Sequence, residues 1–312
     1  MTVHLRAALA SLTLSALLLG CTSTGQDAGQ EAERGSGTES DRGSSEGSSE
    51  GEAAAPEEDV PTWNTEPASI AAMGDSITRG FDACALLADC PEASWATGTD
   101  SEVDSLARQL LGDDVAVAER SWNLASSGAV MADLPAQAAE AVALEPELVT
   151  VLIGANDACA TDVERMTEVA EFRADFAEAL GVIRAELPET GVYVASVPDL
   201  ERLWSEGQGS TLARAIWRLA NVCPSMLADA DEQGAEATER RAEVSDRVRA
   251  YNEALAEVCA RDALCRYDGG AVYDYAFTAD HISDWDWFHP SRHGQSTLAA
   301  LAYEQVTMDA VE

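Results

Sequence analysis

Two segments far apart in this chain carry the residue types of an acyl-transfer site. Ser76 follows the run Ile70-Ala-Ala-Met-Gly-Asp75, and Asp286 and His289 stand three apart in Trp285-Asp-Trp-Phe-His-Pro290. A serine hydroxyl is a poor nucleophile until an imidazole takes its proton. The imidazole works best when a carboxylate fixes its tautomer and stabilises its cation. Asp286 and His289 can meet within one turn while both face a common site. His281 and His293 are competing bases, but His289 has an acid at the right spacing and Pro290 closing the turn behind it. Gly74-Asp75-Ser76 alone also reads as a plain turn with a helix cap.

Such a site needs hydrogen-bond donors where negative charge develops. Ser76 can offer its own backbone N–H. Gly128, in Trp122-Asn-Leu-Ala-Ser-Ser-Gly-Ala129, can bring a second backbone N–H close to a substrate. Asn156, in Gly154-Ala-Asn-Asp157, can turn a side-chain amide into the same pocket. Each has a simpler reading: a loop glycine for Gly128, a turn and helix cap for Asn156.

The elements that must position these residues follow from the apolar pattern. Ile70 to Met73 is an apolar run of strand length, ending in a turn where Ser76 should open a helix. Ser101 to Leu111 reads as helix and Val115 to Ala118 as a second strand. Ala132 to Leu144 is helical, and Leu148 to Ile153 is a third strand before Gly154. Met166, Val169, Phe172, Phe176, Leu180, Ile183 and Leu187 recur at steps of three and four, marking a long helix. Val192 to Val197 is a strand stopped by Pro198, and residues 201–233 are partly helical. Val244 to Val258 is a further helix, and Leu264 to Tyr267 a last short strand. Strands alternating with helices imply an α/β fold with a parallel sheet covered on both faces. Its site lies beyond the carboxyl ends of the strands, where Ser76, Gly128 and Asn156 all fall.

The 312 residues divide into three parts. Residues 1–20 read as a leader: Arg6, the apolar run Ala7 to Leu19, then Leu18-Leu-Gly-Cys21, similar to a bacterial lipoprotein processing site with Cys21 as the lipidated residue. Residues 21–62 form a Gly-, Ser- and Glu-rich tether with 11 acidic residues against Arg34 and Arg42, too poor in apolar side chains to fold. The folded domain is expected over 63–312. Removing the tether's −9 and the leader's +1 from the whole chain's −37 leaves −29 on that domain. All 19 basic residues are arginine, which excludes a lysine nucleophile, a Schiff base and a P-loop lysine. The acid excess argues against nucleic acid or an anionic bilayer as a tightly held partner.

With Cys21 set aside, six of the seven cysteines remain, an even number that suggests three disulfides in an exported domain. Loop size proposes Cys84 with Cys90 and Cys259 with Cys265, leaving Cys159 with Cys223. No Cys-x-x-Cys occurs, so a metal-thiolate reading is poor.

Taken in order, Gly74-Asp-Ser76, Gly128, Gly154-Ala-Asn-Asp157 and Asp286-Trp-Phe-His-Pro-Ser291 resemble the four sequence blocks of the SGNH (GDSL-type) hydrolases. The cysteine spacing and Ser94-Trp-Ala-Thr-Gly-Thr99 are similar to secreted actinobacterial lipase and esterase members. Ile77 stands where the first block usually has leucine. The resemblance implies a three-layer α/β/α fold with a flavodoxin-like parallel sheet. It also implies Ser76 as nucleophile, His289 as base then acid, Asp286 as its orienter, and Ser76, Gly128 and Asn156 as the oxyanion hole. No metal or organic cofactor is expected. The expected substrate is an ester, lipid-like if Trp285, Trp287, Phe288 and the Trp204 to Met226 segment line an acyl pocket or act as a lid. The membrane is a partner through Cys21, and the site of action is outside the cell. A carbohydrate or cell-wall O-acetyl ester is the alternative substrate, and a non-catalytic surface binding protein the alternative class. Oligomeric state is left open.

Overall fold

The interior strand β1 (Ile70–Gly74) is buried along its whole length, as its unbroken apolar run requires of a strand covered on both faces. The computed structural model describes residues 62–309; the expected leader, Cys21 and the tether up to residue 61 lie outside them. After β1 come α1 (Leu106–Leu111), α2 (Asp114–Arg120), the short β2 (Ser121–Asn123) and α3 (Leu134–Val142). The fully buried β3 (Leu148–Leu152) leads into the single turn α4 (Ala155–Ala158) and the long α5 (Val169–Glu186). Beyond β4 (Gly191–Val194) lie α6 (Leu200–Gly207), α7 (Thr211–Ala220), α8 (Pro224–Leu227) and α9 (Ala235–Cys259). The chain closes with β5 (Cys265–Tyr267), α10 (Ala271–Asp274) and α11 (Arg292–Thr307).

The strands run in the order β2-β1-β3-β4-β5, all parallel. Ile70 lies opposite Ser121 on one side and Leu148 on the other, which brings the carboxyl ends of β1 and β3 level at Gly74 and Leu152. Helices α3, α5 and α9 pack side by side as one layer, and α1 packs on α11 in the other. The stepped apolar residues of α5 are its buried face, and Phe172 stacks on Tyr251 of α9 with ring centroids 4.0 Å apart. Such a pair adds about 0.5–1.5 kcal/mol beyond its buried area. The result is the expected three-layer α/β/α architecture.

Three local expectations are corrected. Val115 to Ala118 is not a strand but part of α2, capped by Asp113, whose carboxylate accepts the Ala116 N–H at 2.9 Å. Val117 is buried while Val115 is 66% exposed, so the apparent alternation is one flank of a short helix. The second strand follows it, at Ser121. The helix expected from Ser101 starts only at Leu106, where the Ser105 hydroxyl accepts the Arg108 N–H. No helix follows Ser76. The chain instead makes successive turns, and left-handed residues at Gly80 (φ +63°) and Asp82 (φ +55°) keep them from continuing.

Candidate active site

Ser76 sits in the turn beyond β1, and that turn is built by its neighbours. Gly74 lies so close to β3 that a Cβ there would be 2.3 Å from the Leu152 carbonyl oxygen, so only glycine fits. Asp75 accepts the Ile77 N–H at 2.9 Å, and Phe81 donates its N–H to the Ser76 carbonyl at 3.0 Å. Two buried glutamines clamp the turn from either layer. Gln137 of α3 accepts the Gly74 N–H at 2.7 Å and donates to the Gly74 carbonyl at 2.9 Å. Gln295 of α11 donates to the Ile77 carbonyl at 2.9 Å and accepts the Trp95 N–H at 2.9 Å. Neither belongs to any motif in the sequence. The signal that could have found them is an amide on the apolar stripe of its helix, beside Leu134, Ala138 and Ala141 for Gln137 and beside Leu298 and Ala299 for Gln295.

His289 meets this turn from the other end of the chain. Its Nε2 lies 2.7 Å from the Ser76 hydroxyl, and its Nδ1 lies 2.5 Å from Asp286 Oδ2. The other oxygen of Asp286 accepts the N–H groups of Phe288 (2.9 Å) and His289 (3.0 Å), which folds the loop around the carboxylate. Trp287 takes a left-handed φ of +57° inside it. Burial pushes the Asp286 carboxyl up, but the hydrogen bond and charge of His289 and those two N–H groups hold it below the ordinary carboxylate range. Phe81 and Phe288 lie against the imidazole, with centroids 4.9 and 5.0 Å away. The competing histidines are elsewhere in hydrogen-bond terms. His281 stacks on His293 at 4.2 Å and accepts the Thr278 N–H, and burial together with His293 keeps its pKa down.

The expected oxyanion donors converge on the same strand ends. Asn156, in α4 just past β3, donates an amide hydrogen to the Ala129 carbonyl at 2.9 Å, next to Gly128. Gly128 is exposed, left-handed at φ +85°, and a Cβ on it would meet nothing within 4 Å. Among the described residues, neither the Ser76 nor the Gly128 N–H donates to a protein acceptor. Asp157 steadies the loop by accepting the Met131 N–H at 3.0 Å. Asp75 and Asp157 are both buried, and each keeps one carboxylate oxygen without a donor. Burial pushes Asp75 up to about 7 and raises Asp157 as well.

A cavity of about 60 Å³ opens beside the site. Ile77, Leu203, Phe277, Ile282 and Phe288 give it a mainly apolar lining, with Arg202 and Glu206 also present. Trp204 is not in that lining; its indole donates to the Ala230 carbonyl at 2.9 Å and its ring carries the Arg241 guanidinium. Disulfides join Cys84 to Cys90, Cys159 to Cys223 and Cys259 to Cys265. Among the described residues, Cys84, Cys90 and Glu92 cluster closely enough to hold a metal, but the disulfide occupies both sulfurs.

Residues 70–302 match the family model described as GDSL-like lipase/acylhydrolase. Solved structures with a similar fold include an extracellular lipase from Streptomyces rimosus, at 18% identity over 75% of this chain and 99% of that one, TM-score 0.45. A psychrotrophic esterase from Pseudoalteromonas aligns at 13% identity over 77% of this chain and 96% of its own, TM-score 0.43. A family 3 carbohydrate esterase from Clostridium thermocellum aligns at 14% identity over 76% and 94%, TM-score 0.44. Comparison with curated proteins gives no match. With the matched region spanning the Ser76 turn, the sheet and most of α11, the chain belongs to the GDSL-like lipase/acylhydrolase family and is a serine hydrolase of ester bonds.

Proposed function

We propose that residues 63–312 form an extracellular carboxylic ester hydrolase working through an acyl intermediate on Ser76. The observation that carries this reading is the unbroken relay from the Ser76 hydroxyl to His289 to Asp286, at 2.7 and 2.5 Å. Ser76 Oγ attacks the ester carbonyl carbon while His289 Nε2 takes its proton, and Asp286 stabilises the imidazolium. The oxyanion is received by the N–H groups of Ser76 and Gly128 and the free amide hydrogen of Asn156. His289 then protonates the leaving alcohol, the C–O bond breaks, and acyl-Ser76 remains. Water attacks that acyl group, with His289 now acting as base, and the carboxylic acid departs.

The cavity beside Ile77 and Phe288 takes the acyl chain in this reading. Its mainly apolar lining suits a short acyl chain. Longer lipid chains would continue past it over the surface. An O-acetyl ester of a carbohydrate is the second reading, and the small cavity also favours it. Three disulfides support an oxidising compartment. Attachment to the outer face of the membrane through a lipidated Cys21 completes the proposal.

The test is a series of p-nitrophenyl esters of increasing chain length, with a fluorophosphonate to label Ser76. Highest kcat/KM on butyrate or hexanoate esters is expected. Acetate esters outpacing all others would favour the carbohydrate reading, and no labelling would favour a binding protein that keeps the fold.

A further inference from the structure

Asp82 is fully buried six residues after Ser76, and nothing in the hydrolytic relay uses it. Its Oδ1 accepts the Leu87 N–H. Its Oδ2 is buried and meets no donor among the described residues. What faces it is a second carboxyl group, that of Asp286, within hydrogen-bonding reach. Two carboxyl groups settle against each other in a buried place when a proton lies between them.

The backbone holds the two groups in register. The Ser283 hydroxyl donates to the Asp82 carbonyl at 2.7 Å. The Ser283 N–H donates to the His289 carbonyl at 2.8 Å, and the Trp287 N–H to the Ser283 carbonyl at 3.0 Å. On its other side, the Asp82 N–H donates to the Ala88 carbonyl at 3.0 Å, inside the loop closed by Cys84 and Cys90. The loop carrying Asp286 is thus bolted to the backbone of Asp82, which holds the two residues side by side.

We propose that Asp82 is a positioning residue for ester hydrolysis, its carboxyl group donating a hydrogen bond to Asp286 and fixing that carboxylate against His289. The proposal rests on the reading of Ser76, His289 and Asp286 as the reacting relay. The environments of the two acids fit the division of labour. Burial raises the Asp82 carboxyl, and the charge of Asp286 raises it further against the Leu87 N–H and His289. Asp286, by contrast, is held low. The two shifts run in opposite directions, as a donor acid beside an acceptor carboxylate requires. Of the remaining charged groups nearby, Arg292 is engaged with Asp100 at 2.7 Å, and Glu102 and Asp284 line the outer cleft. When Asp82 ionises, the donor becomes a second anion beside Asp286, and the relay loses its fixed geometry.

The test compares the full chain with Asp82→Asn and Asp82→Gly, measuring kcat, KM and thermal melting on p-nitrophenyl butyrate over a wide pH range. Glycine removes the carboxyl group without the strain that alanine would add at φ +55°. Asparagine keeps a donor that does not titrate. Asp82→Gly is expected to lose about 10- to 100-fold in kcat at unchanged KM, and Asp82→Asn to stay within about threefold while losing the alkaline limb of the profile. Full activity in Asp82→Gly, or an Asp82→Asn variant as impaired as Asp82→Gly, overturns the proposal. If Asp82→Gly does not fold, the Asp82→Asn profile decides, and an unchanged alkaline limb overturns it. His289→Ala in the same assay keeps the two readings apart. Activity there sinks the relay itself, whereas a dead His289→Ala beside a fully active Asp82→Gly sinks only the role of Asp82.

Discussion

Asn156 and Ala129 are joined by one hydrogen bond, amide nitrogen to carbonyl oxygen at 2.9 Å, which ties the end of β3 to the loop presenting Gly128. The bond uses one amide hydrogen; in the proposed mechanism the other meets the oxyanion. Asn156→Ala should therefore lower kcat by roughly 10²–10³, or 2.7–4 kcal/mol, with little change in KM. Loss of the bond to Ala129 should add about 1 kcal/mol of destabilisation. Kinetics and melting on the same preparation check both. A destabilised but fully active variant would reduce Asn156 to a tie between loops.

The relay orders its own variants. Ser76→Ala and His289→Ala should each remove about 10⁶ of kcat, whereas Asp286→Asn, which costs orientation and charge support, should remove about 10⁴. Steady-state rates on a soluble ester, with circular dichroism to show an intact fold, test the order. His281→Ala should leave turnover near wild type, because its ring is engaged with His293 and Thr278. A dead His281→Ala beside an active His289→Ala would reverse the assignment.

Asp75 makes stability depend on pH. Burial carries its carboxyl from 3.8 to about 7, so between those values the folded chain holds a proton the unfolded chain has released. Raising the pH through this window must then favour unfolding, by about 4 kcal/mol from this group alone. Asp75→Asn keeps an acceptor for the Ile77 N–H and has no proton to lose. Its melting temperature should gain on wild type as pH rises from 4 to 8. A constant difference between the two proteins across that range would show that Asp75 does not hold the proton.

The Cys159–Cys223 disulfide closes a separation of 64 residues and ties α8 to the end of α4. Replacing both cysteines with serine should cost about 2–5 kcal/mol. Ser225 ties the same two segments independently, donating its hydroxyl to the Ala158 carbonyl at 2.6 Å and its N–H to the Ala160 carbonyl at 3.0 Å. Activity well below the melting point should therefore survive. Thermal melts with residual esterase rates check this, and an unchanged melting temperature would mean that Ser225 suffices.

What the sequence makes legible follows burial. Strands β1, β3 and β4 are covered on both faces, so their apolar runs stand out; β2, with Ser121, Trp122 and Asn123 all partly exposed, does not. Val115 to Ala118 imitates a strand because four residues cannot distinguish a period of two from a helix flank. Ser76, His289 and Asp286 are visible because each sits in a short block whose spacing limits its geometry. Asp82, Gln137 and Gln295 carry no such block. Their partners lie far along the chain, and only the folded sheet brings Gly74, Ile77 and Asp286 to them.

The hydroxyl and imidazole of the site are separated by 213 residues, and the same C-terminal segment that brings the imidazole also brings Gln295 to brace the Ile77 carbonyl. A ribosome that has finished all five strands has still to make Asp286, His289 and α11. Until that segment is made, the chain carries a serine with no base to pair with it. Stalled chains ending before Trp285 should stay unlabelled by fluorophosphonate, while the completed chain reacts. Hydrolytic competence in the proposed relay therefore waits on the docking of the last helix.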